Sequence, residues 1–320
     1  MTQMQYLQIP GAKKPVSRLI QGTTMTGPLG DKVFDLFDAA LENGINTFDT
    51  AQVYGNEPAL GKWIADRGVR DRVNILTKGA HHNDVRRRVT PWDITADIYD
   101  SLGRLKVDYI DIYILHRDDP SFPVGPIVET LNEHHKAGRI GVFGGSNWTH
   151  ARIAEVNAYA KEHGLTPFAI SNPNFNLVDM IDEPWAECVS IGGEQGRKAR
   201  EYYATADITL FTWSTLAGGF LSGKVTRDKS ELPEGRAAMI KRCYYSEDNF
   251  KRLDRARELA ASRGLSIPQV ALAYVLSQSA RLATLIAPET PDEIADNTKA
   301  LDVKLSAKEI AWLELREDSL

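Results

Sequence analysis

The sequence predicts an α/β chain that closes into a (β/α)8 TIM barrel. Eight short β-rich runs alternate with amphipathic segments along 320 residues, with no sharp linker and no internal repeat of about 20–50 residues. Several runs are near-continuously apolar, as in Ile110-Asp111-Ile112-Tyr113-Ile114-Leu115, the composition of parallel strands covered on both faces. The length suits one large barrel or two medium domains, and the unbroken alternation favours a single domain over 1–320. A doubly wound sheet is the alternative. Against it, no GxGxxG follows any run, and Gly141-Val142-Phe143-Gly144-Gly145 lies within a run where a phosphate loop would open a helix.

Taken in order, the first run is 18–25. It leads to a helix over 32–43 with Val33, Leu36, Phe37, Ala40 and Leu41 on one face. The second run is 46–50 and the third 73–78, each following a glycine (Gly44, Gly68) placed where a helix should stop. Amphipathic segments at 94–107 and 152–163 flank the fourth and fifth runs, 111–116 and 141–146. Gly164 precedes the sixth run, 168–171; the seventh is 208–213; Gly264 ends a helix before the eighth, 282–287. The segment 218–248 shows no regular pattern, and so long a loop after the seventh strand reads as a lid at the catalytic end of the barrel. The tail, 306–317, reads as a closing helix whose Ser306-Ala307-Lys308-Glu309 forms a capping box.

Composition narrows the function. Hydrophobic content of 42% and charged content of 25% are those of a soluble globular protein. A net charge of −5 disfavours a nucleic-acid or anionic-membrane partner. Two cysteines, Cys188 and Cys243, without CxxC or Cys/His spacing, fit a reduced cytoplasmic setting and no disulfide framework or metal site. The first ten residues lack a basic stretch followed by an apolar run, and no apolar run approaches the roughly 20 residues that span a bilayer.

Chemistry-bearing residues fall at strand ends. Asp49 and Tyr54 stand five apart across the end of the second run; Lys78 and His116 end the third and fourth. Alone, each has an ordinary structural use. Together they lie where a barrel converges its strand ends on one face, which is where active sites form. Reducing a carbonyl by hydride needs a proton donor to the developing alkoxide. A free phenol, with a pKa near ~10, is a poor donor, and a nearby ammonium lowers that value. Lys78 can play that part for Tyr54, with Asp49 pairing the ammonium and His116 orienting the carbonyl oxygen.

These residues carry a resemblance to the aldo-keto reductase family over nearly the whole chain. The matching motifs are Gly44-Ile45-Asn46-Thr47-Phe48-Asp49-Thr50-Ala51, Tyr54-Gly55, Glu57, Leu60-Gly61, Thr77-Lys78, Leu115-His116, Gly145-Ser146-Asn147, and Gly218, Leu221, Gly223 and Lys224. The resemblance implies a (β/α)8 barrel, a catalytic tetrad of Asp49, Tyr54, Lys78 and His116, and NADP(H) or NAD(H) bound extended. The cofactor would lie along Gly22, Thr23, Thr24, Asp49, Ser146, Asn147, Asn172, Trp213, Ser214, Thr215, Leu216, Gly218 and Lys224. It would end at Ala287, Pro288, Glu289, Glu293 and Asn297, with 218–248 as a lid over it.

Three departures qualify that expectation. The family's glutamine at the end of strand six is absent, so Asn172 or Ser171 must serve the nicotinamide amide. Trp213 stands where a tyrosine commonly stacks. The family usually prefers NADP(H), yet 285–297 holds no basic residue and four acids, so a 2′-phosphate would meet like charge. Glu289 suits a free ribose 2′-hydroxyl, whereas Thr290-Pro291-Asp292-Glu293 also reads as a helix cap. A basic side chain on the lid, Lys224 or Arg236, would restore phosphate binding, and both cofactors remain open.

For the substrate, Arg117, Asp118 and Trp148, with Met25 and Trp92 from the first and third loops, predict a polar, aromatic rim suited to a keto-sugar or polyol-derived carbonyl compound. Pairing of Arg117 with Asp118 or Asp119, or of these residues with loop backbone, is the alternative. The expected function is NAD(P)(H)-dependent interconversion of a carbonyl and an alcohol, with a small-molecule partner. A non-catalytic, nicotinamide-binding redox-sensing subunit is the second reading. A metal-dependent hydrolase is weaker, since His81-His82 lacks a helical i,i+4 partner and His134-His135 read as solvated. Oligomeric state is not legible.

Overall fold

The architecture follows from eight parallel strands that hydrogen-bond in a ring. The computed structural model describes residues 2–24 and 32–320. After a short antiparallel hairpin, β1 (Tyr6–Leu7) and β2 (Val16–Ser17), come β3 (Leu19–Gly22), β4 (Thr47–Asp49), β5 (Asn74–Gly79) and β6 (Ile110–Leu115). The ring continues with β7 (Ile140–Ser146), β8 (Ile170–Asn172), β9 (Thr209–Thr212) and β10 (Leu282–Ile286). Their order is β10-β3-β4-β5-β6-β7-β8-β9, a closed barrel, and each of the eight expected runs supplies one strand. The expected 18–25 ends early, at Gly22, so Thr23 and Thr24 lie beyond the strand.

Strand alternation sorts the residues. Ile20, Leu76, Ile112, Ile114, Val142, Ile170, Phe211 and Ala283 fill the barrel interior, joined by Ile9 and Val16 from the N-terminal hairpin. The opposite parity faces a larger shell under the helices. There Phe48 of β4 meets Phe37 at 5.5 Å and Trp63 at 4.8 Å. The first helix, α1 (Lys32–Glu42), lies on this shell, as do α2 (Glu57–Arg67), α3 (Pro91–Leu105), α4 (Val124–Lys136) and α5 (His150–Glu162). Helices α3 and α5 start earlier than their apolar period indicates, because Thr90 and Thr149 accept the N–H groups of Asp93 and Arg152 as N-caps.

Further along are α6 (Arg197–Thr205), α7 (Glu234–Tyr244), α8 (Glu247–Arg263), α9 (Ile267–Leu276), α10 (Pro291–Thr298) and α11 (Ala307–Leu313). The Ser306–Glu309 capping box of α11 forms in both directions. Segment 218–248 is not irregular throughout: α7 occupies eleven of its residues and buries Ile240, Cys243 and Tyr244. Its pattern is weak because Gly235 sits in the first turn and few apolar residues share a face. His134, expected to be solvated, is buried between α3 and α4. Its Nδ1 accepts the Arg139 Nε–H at 2.8 Å, which leaves Nε2–H to donate to Thr95 Oγ1 at 3.0 Å. No single helix among the described residues is long and apolar enough to cross a membrane.

Candidate active site

Three strand ends and the turn after the first of them bring the expected tetrad together. Asp49 closes β4 facing inward, and Lys78 faces inward one residue before the end of β5. Lys78 Nζ bonds Asp49 Oδ1 and also donates to the Thr50 carbonyl at 3.2 Å, both side chains being buried. Tyr54 ends a single 3-10 turn, Gln52–Tyr54, which Gly55 terminates at φ 72. That left-handed residue folds the chain back, so the phenol reaches over the barrel end. His116 directly follows β6, and its N–H bonds the Gly79 carbonyl at 2.7 Å. Tyr54 Oη lies 3.5 Å from His116 Nε2, and Lys78 Nζ lies 5.0 Å from the Tyr54 ring centre.

Burial decides the electrostatics. It disfavours the Lys78 ammonium, but Asp49 and then Tyr54 outweigh it and hold Lys78 protonated above its ordinary value. Burial also lowers His116 far below the usual histidine range, reinforced by Lys78, His81 and Arg117, so its ring is neutral. For Tyr54 the sequence-based expectation is reversed. Burial pushes the phenol above its ordinary value, and the Lys78 ammonium offsets only part of the rise.

A cleft of about 530 Å³ runs from this tetrad across the barrel mouth to the loop after β10. Most residues expected along a cofactor line it. Gly22 and Thr24 come from the β3 end, Ser146 and Asn147 from β7, Asn172 from β8. Trp213, Ser214, Thr215, Leu216, Gly218 and Lys224 follow β9, and Ala287, Pro288, Glu289, Glu293 and Asn297 follow β10. Thr23 is buried and not on this wall; Ser171 bonds Tyr203 Oη at 2.8 Å behind the barrel, which leaves Asn172 as the amide facing the cleft. Asn172 itself donates to the Phe211 carbonyl. Ser214, Ala217 and Gly218 all have positive φ (58, 51 and 67), and Ser214 Oγ accepts the Gly218 N–H at 3.0 Å, so a strained, preset turn forms this wall. Glu289 pairs with Arg236 of α7 at 3.1 Å, and its own N–H donates to Glu293. Thr290 caps α10 as expected, but Glu293 turns to Glu289 and leaves the reciprocal half of the box unmade.

The expected substrate residues are largely elsewhere. Arg117 follows inward-facing His116, so strand parity turns it outward; it is buried, with Nη1 at 3.5 Å from the Glu187 carbonyl. Asp118 pairs with Arg152 at 3.2 Å, and burial raises its carboxyl to about 6. Asp119 bonds Ser121 and faces Arg87, so neither acid pairs with Arg117, which meets loop backbone, the other half of the expected alternative. Trp148 is sealed in the core: Gly145 has no Cβ, and one added there would lie 2.6 Å from the indole. Its N–H donates to the Arg117 carbonyl and its ring meets Phe168 at 5.2 Å. Trp92 stands on the outer first turn of α3, 79% exposed, away from the cleft wall. Met25 lies outside the described residues.

Among the residues missed are Pro184 and Trp185, in the irregular segment after β8, together with Met239 and Tyr244 of α7. Trp185 stacks on Trp213 with centroids 5.7 Å apart and planes at 17°. A tryptophan in a polar stretch, Asp182-Glu183-Pro184-Trp185, was the available signal.

Comparison with known proteins bears on the family and the fold. The family model "Aldo/keto reductase family" matches residues 18–315. The uncharacterized oxidoreductase YrpG of Bacillus subtilis is 28% identical over 96% of this chain and 94% of its own length. A putative aryl-alcohol dehydrogenase, AAD14 of Saccharomyces cerevisiae, is 26% identical over 89% of this chain and 76% of its own. A probable voltage-gated potassium channel subunit beta of Oryza sativa subsp. japonica is 28% identical over 94% and 92%. In fold, the chain resembles the glycerol dehydrogenase AKR11B4 of Gluconobacter oxydans, with a TM-score of 0.79 at 23% identity, covering 97% of this chain and 94% of that one. With a closed eight-stranded parallel barrel and a family match over all but its two ends, this chain belongs to the aldo/keto reductase family and is an oxidoreductase.

Proposed function

We propose that the chain, acting as one barrel domain over 1–320, interconverts an aldehyde or ketone with its alcohol, with Tyr54 as general acid in reduction and base in oxidation. The observation that carries this is the placement of the Tyr54 hydroxyl 3.5 Å from a neutral His116, over the Lys78–Asp49 pair. Family members use nicotinamide cofactors, and the cleft fits one: it extends from the tetrad to Glu289, longer than a small carbonyl compound needs. When bound, that group supplies or accepts the hydride.

The chain's own residues handle the proton. The Tyr54 phenol donates to the carbonyl oxygen as negative charge grows there. Neutral His116 offers a ring N–H to the same oxygen, fixing its position. Lys78, held protonated by Asp49, stabilises the phenolate left behind. In oxidation the same phenolate takes the proton back.

Either NAD(H) or NADP(H) is supported, because Glu289 suits a ribose hydroxyl and Arg236, its partner, suits a 2′-phosphate. A keto-sugar or polyol-derived substrate loses its main support, since Arg117, Asp118, Trp92 and Trp148 do not line the cleft. The yeast relative's name points to aryl alcohols, in keeping with the indoles at the wall. Two free, buried cysteines support a reducing, cytoplasmic setting.

The test is initial-rate oxidation of NADH and NADPH against a panel of aldehydes and keto-sugars, with Tyr54→Phe beside the wild type. Turnover lost in Tyr54→Phe supports the mechanism, and equal turnover in both sinks it. Silence of the wild type throughout favours a non-catalytic, cofactor-binding subunit; the rice relative is itself named a channel subunit.

A further inference from the structure

We propose that Trp185 is the residue that sets substrate choice, selecting carbonyl compounds with a flat aromatic body. The proposal rests on the Tyr54 reading above. Trp185 is 52% exposed yet lines the same cleft as Tyr54 and His116. Its plane lies 17° from that of Trp213 at a centroid distance of 5.7 Å, which is offset stacking, so the two indoles make a stepped aromatic wall.

A half-exposed tryptophan could be an accident of a loose loop, but this loop is braced on both sides. From α7, Arg242 donates to Asp182 Oδ2 at 2.8 Å and to the carbonyls of Glu183 and Pro184 at 2.6 and 3.0 Å. The Ile181 N–H bonds the Cys243 carbonyl at 2.9 Å. On the other side Arg87, from the loop after β5, pairs with Glu187, and the Glu187 N–H donates to Glu183 Oε2 at 2.6 Å. Glu187 itself is held at φ 64, a conformation that persists only where its surroundings fix it. The indole is therefore presented on a fixed backbone, so a ring laid on it pays little ordering entropy.

The wall's polarity decides the class. Arg117 and Asp118, the charged residues that follow His116, are engaged with the Glu187 carbonyl and with Arg152 and offer no partner to a hydroxyl. Against the faces of the two indoles and Pro184 a sugar's hydroxyls would find few replacement bonds, whereas an aryl ring needs none.

The experiment compares kcat/KM for benzaldehyde, butanal and D-xylulose in wild type, Trp185→Ala, Trp185→Phe and Arg242→Ala, with thermal melts to confirm folding. The benzaldehyde-to-butanal ratio is expected to fall about tenfold in Trp185→Ala and to stay within about threefold in Trp185→Phe, which keeps a ring. Arg242→Ala, which touches no substrate, is expected to lower the same ratio severalfold through KM, because it frees the loop. An unchanged ratio in Trp185→Ala, or a loss confined to D-xylulose, overturns the proposal. So does a loss that appears instead as a weaker cofactor dissociation constant by fluorescence titration, which would assign the indole to the cofactor. Failure of the Tyr54 reading looks different: Tyr54→Phe would then reduce butanal as well as the wild type does.

Discussion

Tyr54 holds its proton more tightly than a free phenol, because burial outweighs the neighbouring ammonium. Tyr54→Phe removes the hydroxyl that carries that proton and is expected to lower kcat by about 10²–10⁴ with cofactor affinity retained, as measured by single-turnover rates and fluorescence titration. The pH dependence follows from two opposite shifts. The phenol is the active form in reduction and deprotonates only above its ordinary value; His116 is neutral and protonates only well below its own. The kcat/KM for reduction is therefore expected to be flat between about pH 6.5 and pH 10, with its alkaline limb beyond. An inflection near neutrality would contradict a neutral His116. The convergence of Asp49, Lys78 and His116 was legible in the sequence because each stands within a residue of the end of an apolar run, with Tyr54 on the turn that follows Asp49. Arg117 and Trp148 were misplaced for reasons the sequence also holds. One step past inward-facing His116 reverses direction, and Gly145 is the space that an indole three residues on fills.

Among elements, α7 has the most consequence. It carries Arg236 toward Glu289 after β10 and Arg242 toward the Trp185 loop, so one helix touches both ends of the cleft. Glu289→Arg leaves two guanidiniums where a neutral pair stood, and the NADPH-to-NADH ratio of kcat/KM is expected to rise by about tenfold or more. No change would remove Glu289 from the ribose site. Behind the substrate end, Arg152 on α5 pairs with buried Asp118. Arg152→Leu strands that carboxylate and is expected to cost about 3–5 kcal/mol in urea melts. The sign of its pH dependence is fixed by Asp118, whose carboxyl sits at about 6 in the fold. Raised above its unfolded value, it favours the folded state fully below about pH 4. That contribution is lost as pH rises through about 6, a slope Asp118→Asn should remove. Strands were readable because a two-sided burial pattern needs only apolar runs. Helix α7 and the loop bearing Trp185 were not, since their positions come from ion pairs to residues 53 to 100 away in sequence.

At the scale of the molecule, closure depends on backbones that approach closely. A Cβ on Gly144 of β7 would stand 1.9 Å from the Ile170 carbonyl of β8, so Gly144→Ala must part those strands. It is expected to cost at least about 1–3 kcal/mol, read as a lower urea midpoint. Such a glycine cannot be told from a loop glycine in sequence, because the contact is made by another strand. The order of the barrel bears also on synthesis. Asp49, Lys78 and His116 come from three successive strands, β4, β5 and β6, while the ring closes only when β10 reaches β3. A ribosome adding about 5–20 residues per second emits the tetrad tens of seconds before the chain is complete. During that interval Lys78 and Asp49 are wet charges on an open half-barrel, and the nascent protein must keep its unpaired strand edges from neighbouring chains until the last strand seals them.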